Sequence, residues 1–178
     1  MPQEILKFWF EDIEPAKWWI KDPHFDLLIR ERFTDTHSRA TQCELYEWRD
    51  TAHGRLAEII VLDQFSRNMF RDTPQAFAQD ALALALAQEA ISAGAADLLT
   101  PVERSFLYLP FMHSESLMIH ELAVSLYTEN GLQNNLDFEL KHQAIIEQFG
   151  RYPHRNAILG RVSTPEEVEF LQLPNSGF

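Results

Sequence analysis

The chain is 178 residues long, enough for one domain closing a single apolar core. Its fifteen basic residues against twenty-seven acidic ones leave a formal charge of −12, which repels nucleic acid and anionic membrane over most of the surface. The lone Cys43 excludes an internal disulfide and reads as a small buried apolar residue in a reducing compartment.

The opening MPQEILKFWF has neither the basic region nor the apolar run of an export signal, and no stretch reaches membrane-spanning length. A cytoplasmic location is therefore expected. Apolar residues recur at helical spacing along the chain, without useful strand-like alternation. Helices are expected near 3–10, 23–41, 52–69, 74–93, 101–112, 115–129, 136–149, 153–160 and 165–172. Asp22, Thr73, Thr100 and Thr164 each precede a proline, pairing a side-chain acceptor with a first-turn residue that lacks an N–H. Thr100 with Glu103 and Thr164 with Glu167 also match capping boxes. Gly94, Gly131 and Gly150 mark stops.

Phe25, Leu28, Ile29 and Phe33 make one apolar stripe, and Phe77, Ala81, Leu84, Gln88 and Ile91 another. The Ala-rich stretch from Ala76 to Ala96 allows close helix approach. Pro110 predicts a kink or break beside His113. The expected fold is all-α, a single domain over residues 1–178 built of stacked antiparallel helical hairpins.

Three polar strings interrupt this pattern, where charged or imidazole groups must be paired, hydrated or used for a ligand. In the first, Asp63 and Arg67 continue the face of Leu56 and Ile60. They read equally as a structural ion pair or as a ligand-facing arginine, with Asn68 and Arg71 adding an amide and a second guanidinium nearby. In the second, His113 fits a general base, a metal ligand or a satisfied core histidine, while Ser114 fits a cap and Glu115 an acid/base partner. Glu103 is assigned to its capping box. The third string, Gly150 to Arg161, carries Arg151, His154, Arg155, Asn156 and Arg161 with no acidic residue. Pro153 would open a helix there whose first amides favour an anion. His142 sits on the apolar face of the preceding helix. Eleven arginines against four lysines suit planar recognition of carboxylate or phosphate, although genome composition accounts for such a bias equally well.

Metal binding is disfavoured. No HExxH, paired ExxH or CxxC pattern appears, and the adjacent arginines oppose a dication. Scattered glycines exclude a phosphate-binding loop or a dinucleotide fold. The aromatic set Phe8, Trp9, Phe10, Trp18, Trp19 and Trp48 is assigned to helix packing rather than to a planar ligand.

The strings FWF, LDQFSRNMFR, AFAQDALAL, PVERSFLYLPFMHSES and FGRYPHRNAILGRVSTPEE, in this order across nearly the whole chain, resemble the bacterial domain of unknown function family numbered 924. The resemblance implies an all-α fold similar to the tetratricopeptide-like superfamily, though the usual repeat of about 34 residues is missing here. It implies no established activity. It highlights Asp63, Gln64, Arg67, Asn68, Glu103, His113, Ser114, Glu115, His142, Gly150, Arg151, Pro153, His154, Arg155 and Asn156. Ser66 stands where the family commonly has proline, which concerns the local turn only.

Two functions follow as expectations. In the first, Arg67, Asn68, Arg71, His142, Arg151, Arg155 and Asn156 bind a small carboxylate or phosphate, and His113 or His154 paired with Glu115 performs acid/base chemistry, with the cofactor unspecified. In the second, the helices form a scaffold for a protein partner and the same side chains are a structural network, with Asp63, Asp80 and Glu115 neutralising the arginines.

Overall fold

The computed structural model describes residues 1–174 and 176–177. Among them the regular structure is helical, and no strand occurs. The α-helices are α1 Pro2–Lys7, α2 Pro23–Thr41, α3 Ala52–Ile60, α4 Ser66–Met69, α5 Asp80–Ser92, α6 Pro101–Met112, α7 Leu117–Asn130, α8 Gln133–Phe149 and α9 Pro165–Phe170. None is long and apolar enough to cross a membrane.

Local chemistry sets several of the starts. Asp22 accepts from the amides of His24 and Phe25 at 3.0 and 3.2 Å, and Thr100 and Thr164 close capping boxes with Glu103 and Glu167. Thr73 makes no such bond. The proline after it begins only a 3-10 turn, Pro74–Phe77, and α5 starts later than expected, at Asp80. Gly94, Gly131 and Gly150 end their helices at φ 75°, 76° and 68°, a region open to glycine because it lacks a Cβ.

Other expectations shift. Residues 52–69 are helical throughout, but a π turn, Val61–Phe65, separates α3 from α4. Residues 153–160 hold only a 3-10 turn, Pro153–Arg155, in place of a helix. Pro110 is accommodated within α6, which ends at Met112 with His113 as its C-cap. Leu28 is 46% exposed, off the stripe that Phe25, Ile29 and Phe33 bury. Cys43 is exposed, at φ 58° in the turn after α2, and not the buried apolar residue expected.

Side-chain bonds fix how the helices lie. Tyr127, late in α7, donates to the Ser105 carbonyl early in α6 (3.2 Å), and Asn130 donates to that of Pro101 (2.9 Å). The two helices therefore run antiparallel. The core gathers Phe8, Trp9, Phe25, Phe33, Phe65 and Phe106, with Phe33 and Phe65 stacked at 4.9 Å and Trp9 edge-on to Phe106 at 5.8 Å. Burying each such ring stabilises by roughly 1.5–3 kcal/mol. Ala83, Ala87 and Ala90 are fully buried, and their small side chains let α5 approach α3 and α6, placing Asp80 opposite the π turn.

Candidate functional site

The π turn organises the site. A π turn leaves carbonyls without their regular α-helical partners, and side chains of α4 reach back to them. Ser66 Oγ donates to the Leu62 carbonyl (2.6 Å) and Arg67 Nη1 to that of Asp63 (2.9 Å). Ser66 thus begins α4 and also accepts a bond from His37 Nε2 (2.8 Å).

Asp63 is sealed inside, 1% exposed. Gln64 Nε2 and His113 Nδ1 donate to it at 2.5 and 2.7 Å, and Arg67 Nη1 lies 3.2 Å away. Burial works against its ionisation, but His113 and Arg67 outweigh burial and hold the carboxyl well below the usual carboxylate range. Arg67 turns its fork onto Asp80 at 2.8 and 3.0 Å, and Arg155 Nη1 meets the same carboxylate at 3.1 Å. Arg155 Nη2 donates to the His113 carbonyl (3.0 Å). The Phe77 ring lies under both guanidinium groups, at 5.6 and 4.6 Å, and Tyr152 under that of Arg155 at 4.7 Å.

A cleft of about 390 Å³ opens against this cluster. Phe77, Ala81, Leu84, Pro110 and Leu159 give it apolar walls, while Asp80, His113, Ser114, Glu115 and Arg155 give it a polar end. Burial first, then the nearby Arg67 charge, lowers the His113 pKa against the pull of Asp63. The neutral ring donates through Nδ1 to Asp63. Its Nε2, without a partner among the described residues and not sealed from solvent, remains a hydrogen-bond acceptor.

Glu115 and the third string form a second cluster. Glu115 accepts from Arg161 at 2.7 and 2.9 Å and from the Tyr152 amide at 2.8 Å. It does not pair with His113 or His154 as expected, because Arg161 folds back over it and the histidine is already held by Asp63. Burial pushes the Glu115 carboxyl up, yet the Arg161 bonds and the Tyr152 amide lower it overall. Arg151 forks onto Glu167 at 2.6 and 2.8 Å. Asn156, fully buried, donates to Ser163 and Glu167 and accepts from Arg161 at 2.9 Å. Each arginine of this string thus meets a carboxylate from elsewhere in the chain, so the expected positive patch is neutralised. With no helix opening at Pro153, the expected anion-facing helix start is also missing.

Asn68 and Arg71 lie apart from the cleft. Both bind Asp26 of α2, Asn68 at 2.8 Å and Arg71 at 2.6 and 2.7 Å. His142 donates to the Phe138 carbonyl (2.7 Å) and meets the Tyr152 ring edge-on at 5.8 Å. His154 also packs against Tyr152, ring centres 5.5 Å apart. Burial pushes His142 down to about 3 and His154 down to about 4. Among the described residues, no three His, Cys, Asp or Glu side chains are arranged to hold a metal ion.

Sequence reasoning missed one buried pair, His120 of α7 and Glu139 of α8, 2.6 Å apart and fully buried. His120 Nε2 donates to the Ser114 carbonyl (2.8 Å), tying the loop that carries His113 to α7. A histidine on the inner face of α7 was the available signal. Phe77, read only as part of an apolar stripe, was also missed as the platform under the arginines.

The family described as "Bacterial protein of unknown function (DUF924)" matches residues 5–175. In three dimensions the chain is similar to the protein of unknown function ATU0120 from Agrobacterium tumefaciens, with 40% sequence identity, a TM-score of 0.91 and 96% of each chain covered. No curated protein matches. With its family strings in order, a match over almost its whole length and a relative of this identity and fold, the chain belongs to the DUF924 family.

Proposed function

We propose that the cleft binds a small molecule with an apolar body and a carboxylate or phosphate head, and that His113 accepts a proton from it. The observation that carries this reading is the 2.7 Å Asp63–His113 pair, which holds one imidazole nitrogen and leaves the other available beside a cleft that also presents Arg155. A buried carboxylate behind a histidine fixes its tautomer and stabilises the imidazolium that forms on proton transfer. The depressed pKa keeps the ring unprotonated at neutral pH. The cleft volume lies within the range of about 300–1,000 Å³ typical of small-molecule sites.

A thermal-shift screen of metabolite carboxylates and phosphates tests this. A true ligand at a hundred times its Kd stabilises the fold by about 2.7 kcal/mol. The gain should fall sharply in Arg155→Leu and in His113→Gln. Hits that stabilise both variants as much as wild type would reject the cleft. A protein-partner role is the second reading, favoured by Met118 and Leu122, one turn apart on α7 and 70% and 49% exposed.

A further inference from the structure

The two carboxylates that Arg67 touches are not equivalent. Asp63 is closed off behind His113 and Gln64, whereas the Asp80 side chain retains 18% of its exposure and forms part of the cleft wall. Asp80 is the first residue of α5, just beyond the short turn that carries Phe77. Its carboxylate takes three bonds from two guanidinium groups, at 2.8, 3.0 and 3.1 Å, and Phe77 supports both groups from below. Two arginine forks over an aromatic face make a cradle suited to any carboxylate or phosphate, whether it belongs to the chain or arrives from outside.

Charge decides how an outside anion could enter. Arg67 and Arg155 are balanced by Asp63 and Asp80, so an anion added beside Asp80 would place two negative groups in one cradle and meet repulsion. An anion that replaces Asp80 keeps the balance, and Asp80 is the partly exposed carboxylate of the two, bordering the cleft while Asp63 is buried. Arg155 Nε, buried and without a hydrogen-bond partner among the described residues, is a further donor that the present arrangement leaves unused.

We infer that Asp80 is an internal stand-in for a ligand's anionic head, and that the Arg67–Arg155 cradle takes an external carboxylate or phosphate by exchange with it. This rests on the reading of the cleft as a ligand site and adds its mode of entry. The exchange makes the free protein self-masked. The expected affinity for a simple anion is therefore low in wild type and rises when Asp80 is removed.

The test is thermal unfolding of the full chain in sodium acetate or sodium phosphate, each matched with sodium chloride at equal ionic strength. Asp80→Ala should start less stable than wild type and regain stability saturably with one of the two anions. Its half-saturating concentration should be at least about tenfold below that of wild type. Adding Arg155→Gln should abolish the gain. A stronger response to acetate assigns a carboxylate head, and a stronger response to phosphate a phosphate head. Asp80→Asn, which keeps the side-chain shape, serves in place of the alanine variant if that variant does not fold. A response that only tracks chloride, an equal response in wild type and variant, or a gain that survives Arg155→Gln would overturn the exchange. Ligands found with wild type that lose their effect in His113→Gln, yet bind Asp80→Asn no better, would overturn the exchange alone and leave the cleft reading intact.

Discussion

The arginines around Asp80 and those around Glu115 and Glu167 are built from the same side-chain types and differ in closure. Arg151 and Arg161 are each matched fork to carboxylate, with Asn156 filling the gap between Glu167 and Arg161. Such an arrangement of bidentate pairs braces the turn after α8. Around Asp80, two arginines share one partly exposed carboxylate, and His113 keeps a nitrogen open to the cleft. Residue type therefore does not distinguish a brace from a candidate site. What distinguishes them is whether all donors and acceptors are matched within the chain.

The largest loss is expected at Asp63. Asp63→Ala strips the open cluster of its buried anchor and leaves Arg67 and His113 facing a void. Removing one partner of a buried pair costs about 3–5 kcal/mol. Urea unfolding monitored by circular dichroism should show this loss, and a shift under about 1 kcal/mol would mean that Asp63 is not the anchor.

A smaller effect comes from His142 and His154, both packed on Tyr152, whose amide binds Glu115 and whose ring supports Arg155. Burial lowers the folded-state pKa to about 3 for His142 and about 4 for His154, against 6.5 ordinarily. Between those values and 6.5 the unfolded chain binds protons that the folded chain does not. The stability from these histidines is therefore whole above about pH 6.5 and is lost as pH falls toward 4 and then 3. The loss should reach about 1–2 kcal/mol per histidine between pH 6.5 and 5. Urea midpoints across that window measure it. A flat profile would place both histidines in water.

The smallest effect is expected at the cap of α9. Thr164→Ala removes the cap that orders α9 and helps position Glu167, at a cost of about 1 kcal/mol. It should lower stability yet leave ligand response at the cleft unchanged. A change in cleft binding would show that the two clusters act as one.

Much of the helical layout was readable without coordinates, and the parts that failed share a cause. Asp22, Thr100 and Thr164 bond within a turn of their own position, so the sequence contains both partners. Thr73 carried the same signal, but the chain there turns again before α5 and the cap has no helix to serve. The rod from 52 to 69 was expected as regular helix. Its apolar spacing carries no mark of the inserted π turn, because those residues are buried all round.

The candidate site divides in the same way. Arg67, His113 and Arg155 were singled out as charged or imidazole groups in an apolar pattern, and all three meet beside the cleft. Asn68, Arg71, Arg151 and Asn156 carried an equal signal, and packing gave them structural partners instead.

That the chain is helical, where most helices start and stop, and which polar residues must find partners were all legible along the chain. Those properties depend on bonds spanning three or four residues and on apolar spacing along one helix. The pairings came from packing: Arg71 with Asp26 across 45 residues, His113 with Asp63 across 50, and Arg155 with Asp80 across 75. A charge accepts any opposite charge that packing brings within reach, so its partner is set by how the helices stack and not by its neighbours along the chain.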